Sequence, residues 1–180
     1  FGLLAKLQNT VFIQRTGIKA REQRDGMVQR LAAGDNLILF PEGTSDDGNR
    51  VLPFKSALFS VAQYPLANGN TVKIQPISIA YTQLDGIPTG RALKPYFAWY
   101  GDMELASHIW ELAGLGLITV ELIFHPPVTM CEFGSRKALS AHCHETVSAG
   151  VSAANAGRPG VPTESLSSHV ALDTGGGDAT

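Results

Sequence analysis

Apolar positions along this chain follow two rhythms in alternation, short continuous or alternating runs and runs at helical spacing. Leu3, Leu4 and Leu7 in residues 1–8 (FGLLAKLQ) fall at helical spacing and read as the end of a helix. Residues 10–14 (TVFIQ) are β-branched and aromatic, predicting a strand that delivers Arg15 to its tip. From 18 to 31, Ala20, Met27, Val28 and Leu31 line one face between charged residues, a helix stopped by Gly34. The run Asn36-Leu37-Ile38-Leu39-Phe40 then predicts a buried strand, ended by Pro41 and Gly43. Strand, helix, strand is a βαβ unit, whose right-handed crossover would set both strand tips on one sheet edge.

Further along, 54–62 (FKSALFSVA) predicts a helix and 72–81 (VKIQPISIAY) an alternating strand in which Pro76 weakens one ladder bond. The segment 82–100 reads as loop, 103–113 as helix, 117–124 (LITVELIF) as strand, and 135–152 as a last helix. The expected class is α/β, a mixed and largely parallel sheet flanked by helices. Residues 1–152 form the expected domain, incomplete at its amino end. From Ala153 the chain turns to Ala, Gly, Ser and Thr, and 153–180 reads as a disordered tail that buries too little apolar surface to offset its ordering entropy.

Composition narrows the classes. An apolar fraction of 44% with 17% charged residues excludes disorder throughout. Fourteen basic against sixteen acidic side chains leave a net charge of −2, so there is no global field to attract nucleic acid, and an anionic partner must be held by a few placed groups. Cys131 and Cys143 are a pair that a chain of this size does not need to bridge, which favours a reducing compartment. No run reaches the roughly 18 apolar residues of a spanning helix. The opening Phe1-Gly2-Leu3-Leu4 shows neither a start methionine nor a signal peptide, and reads as the later part of a longer protein.

Chemistry gathers at the turn after Phe40, where one carboxylate (Glu42), a glycine (Gly43) and the hydroxyls of Thr44 and Ser45 follow a strand. In open α/β sheets ligands bind beyond the carboxyl ends of strands. Arg15 on the adjacent tip can grip an anion in two-pronged fashion, against the plainer reading of a solvated arginine. Glu42 can equally cap a turn, and Lys55 can be an exposed helix lysine. His142-Cys143-His144-Glu145 does not make a metal site, because only His142 and Glu145 share a helix face. Ser45 stands outside a G-x-S-x-G elbow, which argues against an unrelated serine hydrolase. The aromatic residues Tyr96, Phe97, Trp99, Tyr100 and Trp110, with Leu115 and Leu117, read as core or as a membrane-facing patch.

Phe40-Pro41-Glu42-Gly43-Thr44, followed by Gly48 and Pro53-Phe54-Lys55, resembles the FPEG-T and G...PFK segments of the glycerophospholipid acyltransferases, the lysophosphatidate acyltransferases and their relatives. Val11 to Arg15 is similar to the preceding F-I-x-R block, and Val72 to Ile77 to the later V-P-I-x-P-V block. The wording of 40–59 is nearest to bacterial members that acylate lysophosphatidate or lyso-ornithine lipids. Asn9, Gln14, Ser45 and Lys73 depart from the family pattern, Ser45 standing where many members carry arginine.

The resemblance, over about residues 9 to 130, implies an O-acyltransferase of phospholipid biosynthesis. It would move a fatty acyl group from acyl-CoA or acyl-carrier protein, needing no further cofactor and no metal, to the hydroxyl of a lysophospholipid, giving phosphatidate or a related lipid. It implies substrate-binding roles for Arg15, Glu42, Gly43, Thr44 and Lys55, a membrane surface as partner, and a place at the cytoplasmic face of a bacterial inner membrane. The family's catalytic histidine, followed five positions later by aspartate, is missing: none of the five histidines has that partner. The expectation is that this block lies upstream and that the chain alone is nearly inactive, since general-base catalysis is worth about 10²- to 10⁴-fold. A non-catalytic lipid or acyl-carrier binding module is the alternative.

Overall fold

A computed structural model of the chain describes residues 20–66 and 69–158. The predicted strand at 10–14, Arg15, and residues 159–180 of the predicted tail lie outside the described residues. The first described element is α1 (Ala20–Ala32), ended at Gly34, whose φ of +93° is open to glycine and strained for other residues. An extended segment runs from Asn36 to Phe40. It has no ladder partner among the described residues, and Ile38 and Phe40 are 87% and 71% exposed. The expected neighbour that would bury them, the strand at 10–14, is outside the described region.

The helix expected at 54–62 is a 3-10 helix, Ser56–Gln63, packed by Phe59, Val61 and Ala62. The strand expected at 72–81 is broken where the sequence suggested. β1 (Lys73–Ile74) stops before Gln75-Pro76, and β2 (Ile77–Leu84) begins after it. Pro76 has no N–H to give to a ladder, but its carbonyl accepts the His125 amide at 3.0 Å. β2 turns through Asp85 and Gly86, both at positive φ, into β3 (Ile87–Pro88). α2 (Lys94–Phe97) and α3 (Leu105–Ala113) lead to β4 (Ile118–Phe124), β5 (Val128–Thr129), α4 (Met130–Phe133) and the long α5 (Arg136–Asn155).

The largely parallel sheet is not what the described residues form. Their strands make a three-stranded sheet in the order β3-β2-β4 and a two-stranded β1-β5 pair, all antiparallel. The class remains a mixture of helix and sheet; the described pairs are antiparallel, and the expected strand at 10–14 of the βαβ unit lies outside the described residues. Alternation in β2 and β4 identified strands without saying how they pair, and the Asp85-Gly86 turn reverses the chain directly instead of crossing over.

α5 lies against both β2 and the 3-10 helix, and the core forms there. Phe59, Ala62, Val72, Val128, Leu139 and Cys143 are its buried members. Burial raises the Cys143 thiol to about 11, so it acts as a small apolar side chain, and both cysteines are free thiols. Polar groups on the α5 side are satisfied. The fully buried Ser78 hydroxyl donates to the Val147 carbonyl at 2.9 Å and lies 2.8 Å from His125 Nε2, with Gly150 directly over the pair.

The register of β2 against β4 slips between Tyr81 and Gln83. The irregularity turns the Tyr81 carbonyl toward the Thr89 hydroxyl, at 3.0 Å, and the buried Lys94 ammonium. Lys94 also donates to Asn155 Oδ1 at 2.6 Å, tying α2 to the end of α5, and burial lowers its pKa.

Candidate functional site

The turn that stood out in the sequence is held from two sides. The Gly43 amide donates to the Phe40 carbonyl at 3.2 Å, closing a turn over Pro41 and Glu42. The Lys55 amide donates to the Pro41 carbonyl at 2.8 Å, pinning the Pro53-Phe54-Lys55 segment against that turn. Two segments about a dozen residues apart are thereby one surface feature. Gly43 is required twice: its φ is +64°, and a Cβ there would lie 2.7 Å from Lys55 Nζ. The lysine stem therefore crosses the glycine and brings its ammonium to the turn.

Glu42 is half-buried. Desolvation raises its carboxyl above the usual range, Asp46 adds to this, and the Leu52 backbone hydrogen bond and the nearby His144 act the other way. Thr44 is exposed, its hydroxyl reaching the Ser45 carbonyl at 3.5 Å. The following loop is built by Asp47, which accepts from the Asn49 amide at 2.9 Å and from Asn49 Nδ2 at 3.0 Å. A Cβ on Gly48 in that loop would meet Ala98 and Lys94. Of the residues predicted for the site, the structure brings Glu42, Gly43, Thr44 and Lys55 together. Arg15 lies outside the described residues.

His144 was set aside in the sequence as a metal-ligand candidate, and no group of His, Cys, Asp and Glu able to hold a metal occurs among the described residues. Its place is different. The ring stands edge-on to Phe54, with centroids 5.3 Å apart, within electrostatic reach of Glu42. Lys137, Ser140 and His144 share one face of α5 at i, i+3 and i+7, and with Pro53, Phe54 and Ser56 they line a groove of about 300 Å³ beside the turn. The helical spacing of these three polar residues was the signal available in the sequence. The Ser140 hydroxyl donates to the Phe54 carbonyl at 3.4 Å, fastening the groove's two walls.

Comparison with known proteins points to one family. The family model described as Acyltransferase matches residues 1–80. A lyso-ornithine lipid O-acyltransferase of Brucella abortus (strain 2308) is 42% identical over 161 residues, covering 88% of this chain and 60% of the relative.

The chain belongs to the acyltransferase family.

A second lyso-ornithine lipid O-acyltransferase, from Rhizobium meliloti (strain 1021), is 38% identical over 78% of this chain and 49% of its own length. A 1-acyl-sn-glycerol-3-phosphate acyltransferase of Neisseria gonorrhoeae is 28% identical over 82% of this chain and 54% of its own. The chain thus spans between about half and three-fifths of these relatives. No solved structure matches it.

Proposed function

We propose that the complete protein transfers a fatty acyl group from a thioester donor, acyl-CoA or acyl-carrier protein, to the hydroxyl of a lysolipid acceptor of the lyso-ornithine type. The new bond joins the acceptor oxygen to the acyl carbon, the carbon–sulfur bond breaks, and the hydroxyl proton ends on the released thiol. The observation carrying this reading is the Lys55 amide to Pro41 carbonyl hydrogen bond, which makes the two motif segments one surface presenting Glu42, Gly43, Thr44 and Lys55.

An amino-acid headgroup bears a carboxylate and an ammonium. Lys55 suits the first, and Glu42 with Asp46 suits the second. Ser45, neutral where many relatives carry arginine, leaves fewer cations than a phosphate dianion favours. The 42% identity to a lyso-ornithine lipid O-acyltransferase supports the same choice. A hydroxyl is a weak nucleophile near neutral pH, so the base that takes its proton is assigned to sequence outside this chain. Residues in the 96–118 region supply contact with a membrane surface at the cytoplasmic face of a bacterial inner membrane: Tyr96, Trp99, Trp110 and Leu117 are exposed, whereas Phe97 is buried against Tyr81.

Thiol release by the full-length enzyme, measured with lyso-ornithine lipid and with 1-acylglycerol 3-phosphate, tests the reading. The ornithine acceptor is expected to turn over faster, and Glu42→Ala and Arg15→Ala to lower the rate at least about tenfold with circular dichroism unchanged. Preference for the glycerophosphate acceptor would reject the headgroup assignment. Wild-type rates in both variants would remove the turn from the site.

A further inference from the structure

The Pro53-Phe54-Lys55-Ser56 segment has two working sides. Lys55 turns its ammonium onto Gly43. Its neighbours Phe54 and Ser56 instead face the groove against α5. That groove is cationic by placement in a chain of net charge −2. Lys137 forms no ion pair among the described residues. His144 spends at most one ring nitrogen, on the Ser148 hydroxyl at 3.4 Å. The Ser56 hydroxyl has no hydrogen bond among the described residues, and no carboxylate lines the groove. An ammonium, a ring nitrogen and a hydroxyl line this groove, with Glu42 within electrostatic reach of His144 but outside the lining, and form a donor set for a tetrahedral oxyanion.

We infer that this groove binds a phosphate ester, held by Lys137, His144 and Ser56, on the opposite side of the Phe54–Lys55 divider from the headgroup turn. A volume of about 300 Å³ accepts a phosphate and the first atoms of the chain it esterifies, and is too small for a nucleotide with its whole arm. Phe54 and Pro53 supply an apolar wall for those atoms. The inference rests on the acyl-transfer reading, because that reaction brings the phosphate-bearing pantetheine arm of its donor to this surface; a phosphate headgroup would reach it only if the ornithine-type assignment of the acceptor failed.

Calorimetric titration of the full-length protein with CoA, 4′-phosphopantetheine and glycerol 3-phosphate tests it. Lys137 is exposed, so Lys137→Glu should retain the wild-type circular dichroism, and its affinity for the bound probe should fall at least about tenfold. Lys137-dependent binding of CoA and 4′-phosphopantetheine assigns the groove to the donor, and such binding of glycerol 3-phosphate alone assigns it to the acceptor. No binding, or equal binding by wild type and Lys137→Glu, overturns the inference. In the full-length enzyme, absent thiol release would sink the acyl-transfer reading, whereas thiol release with an unchanged donor KM in Lys137→Glu would sink only the donor assignment of the groove.

Discussion

Glu42 is the residue where burial and charge pull against each other. Its carboxyl is raised by desolvation, so between its ordinary value of about 4.5 and its folded value the native state holds more protons than the unfolded one. That difference removes stability as pH rises through this window, and the loss is complete above the folded value. Glu42→Gln keeps an acceptor for the Leu52 amide and removes the charge. We expect its thermal midpoint to exceed that of wild type at pH 7 and to match it below about pH 4; equal midpoints at both would show that the carboxylate is not penalised. A side chain kept at a cost to stability fits a substrate-facing role better than a capping one. The sequence marked Glu42, Gly43, Thr44 and Lys55 through a short motif. It did not mark His144, whose nearness to Glu42 depends on α5 packing against a segment about 90 positions earlier in the chain.

Helices, where spacing was helical, were legible at the scale of elements. α1, α3 and α5 and the strand β4 lie within a few residues of their expected spans, with α5 reaching Asn155. The hairpin was missed. Asp85-Gly86 is a strong turn signal with both residues at positive φ, but it sits in a segment whose Gly and Pro content reads as loop. The α5–β2 contact carries its own test. A Cβ on Gly150 would lie 2.4 Å from Ser78 Oγ and 2.9 Å from His125 Nε2. Gly150→Ala should therefore cost about 1–3 kcal/mol in urea denaturation, the crowding outweighing the gain in helix propensity. An unchanged urea midpoint would mean that the helix can move off the sheet without loss.

For the whole molecule, apolar surface is distributed unevenly. The α5-facing side of β2 is buried through Ser78, Ala80 and Thr82, while Ile77 and Ile79, with Leu122 and Phe124 across from them on β4, are partly exposed on the other side. Among the described residues no helix is long and apolar enough to cross a membrane, and the membrane contact proposed above rests on exposed side chains. Trp110 on α3 is 83% exposed beside the exposed Ile109. Trp110→Ala should weaken co-sedimentation of the protein with anionic phospholipid vesicles by about fivefold or more, in line with the loss of one buried indole. Undiminished co-sedimentation would move the membrane contact elsewhere.

What the linear chain carried was local: periodicity placed most elements, glycines marked turns, and the motif pair within residues 40–55 pointed to acyl-transfer chemistry, because each depends on neighbours in sequence. Strand direction, the pinning of Lys55 on Pro41, and the meeting of Lys137 and His144 with Phe54 were set by folding. Those are contacts between distant segments, and their geometry follows from how the faces of α5, β2 and the 3-10 helix pack into one core.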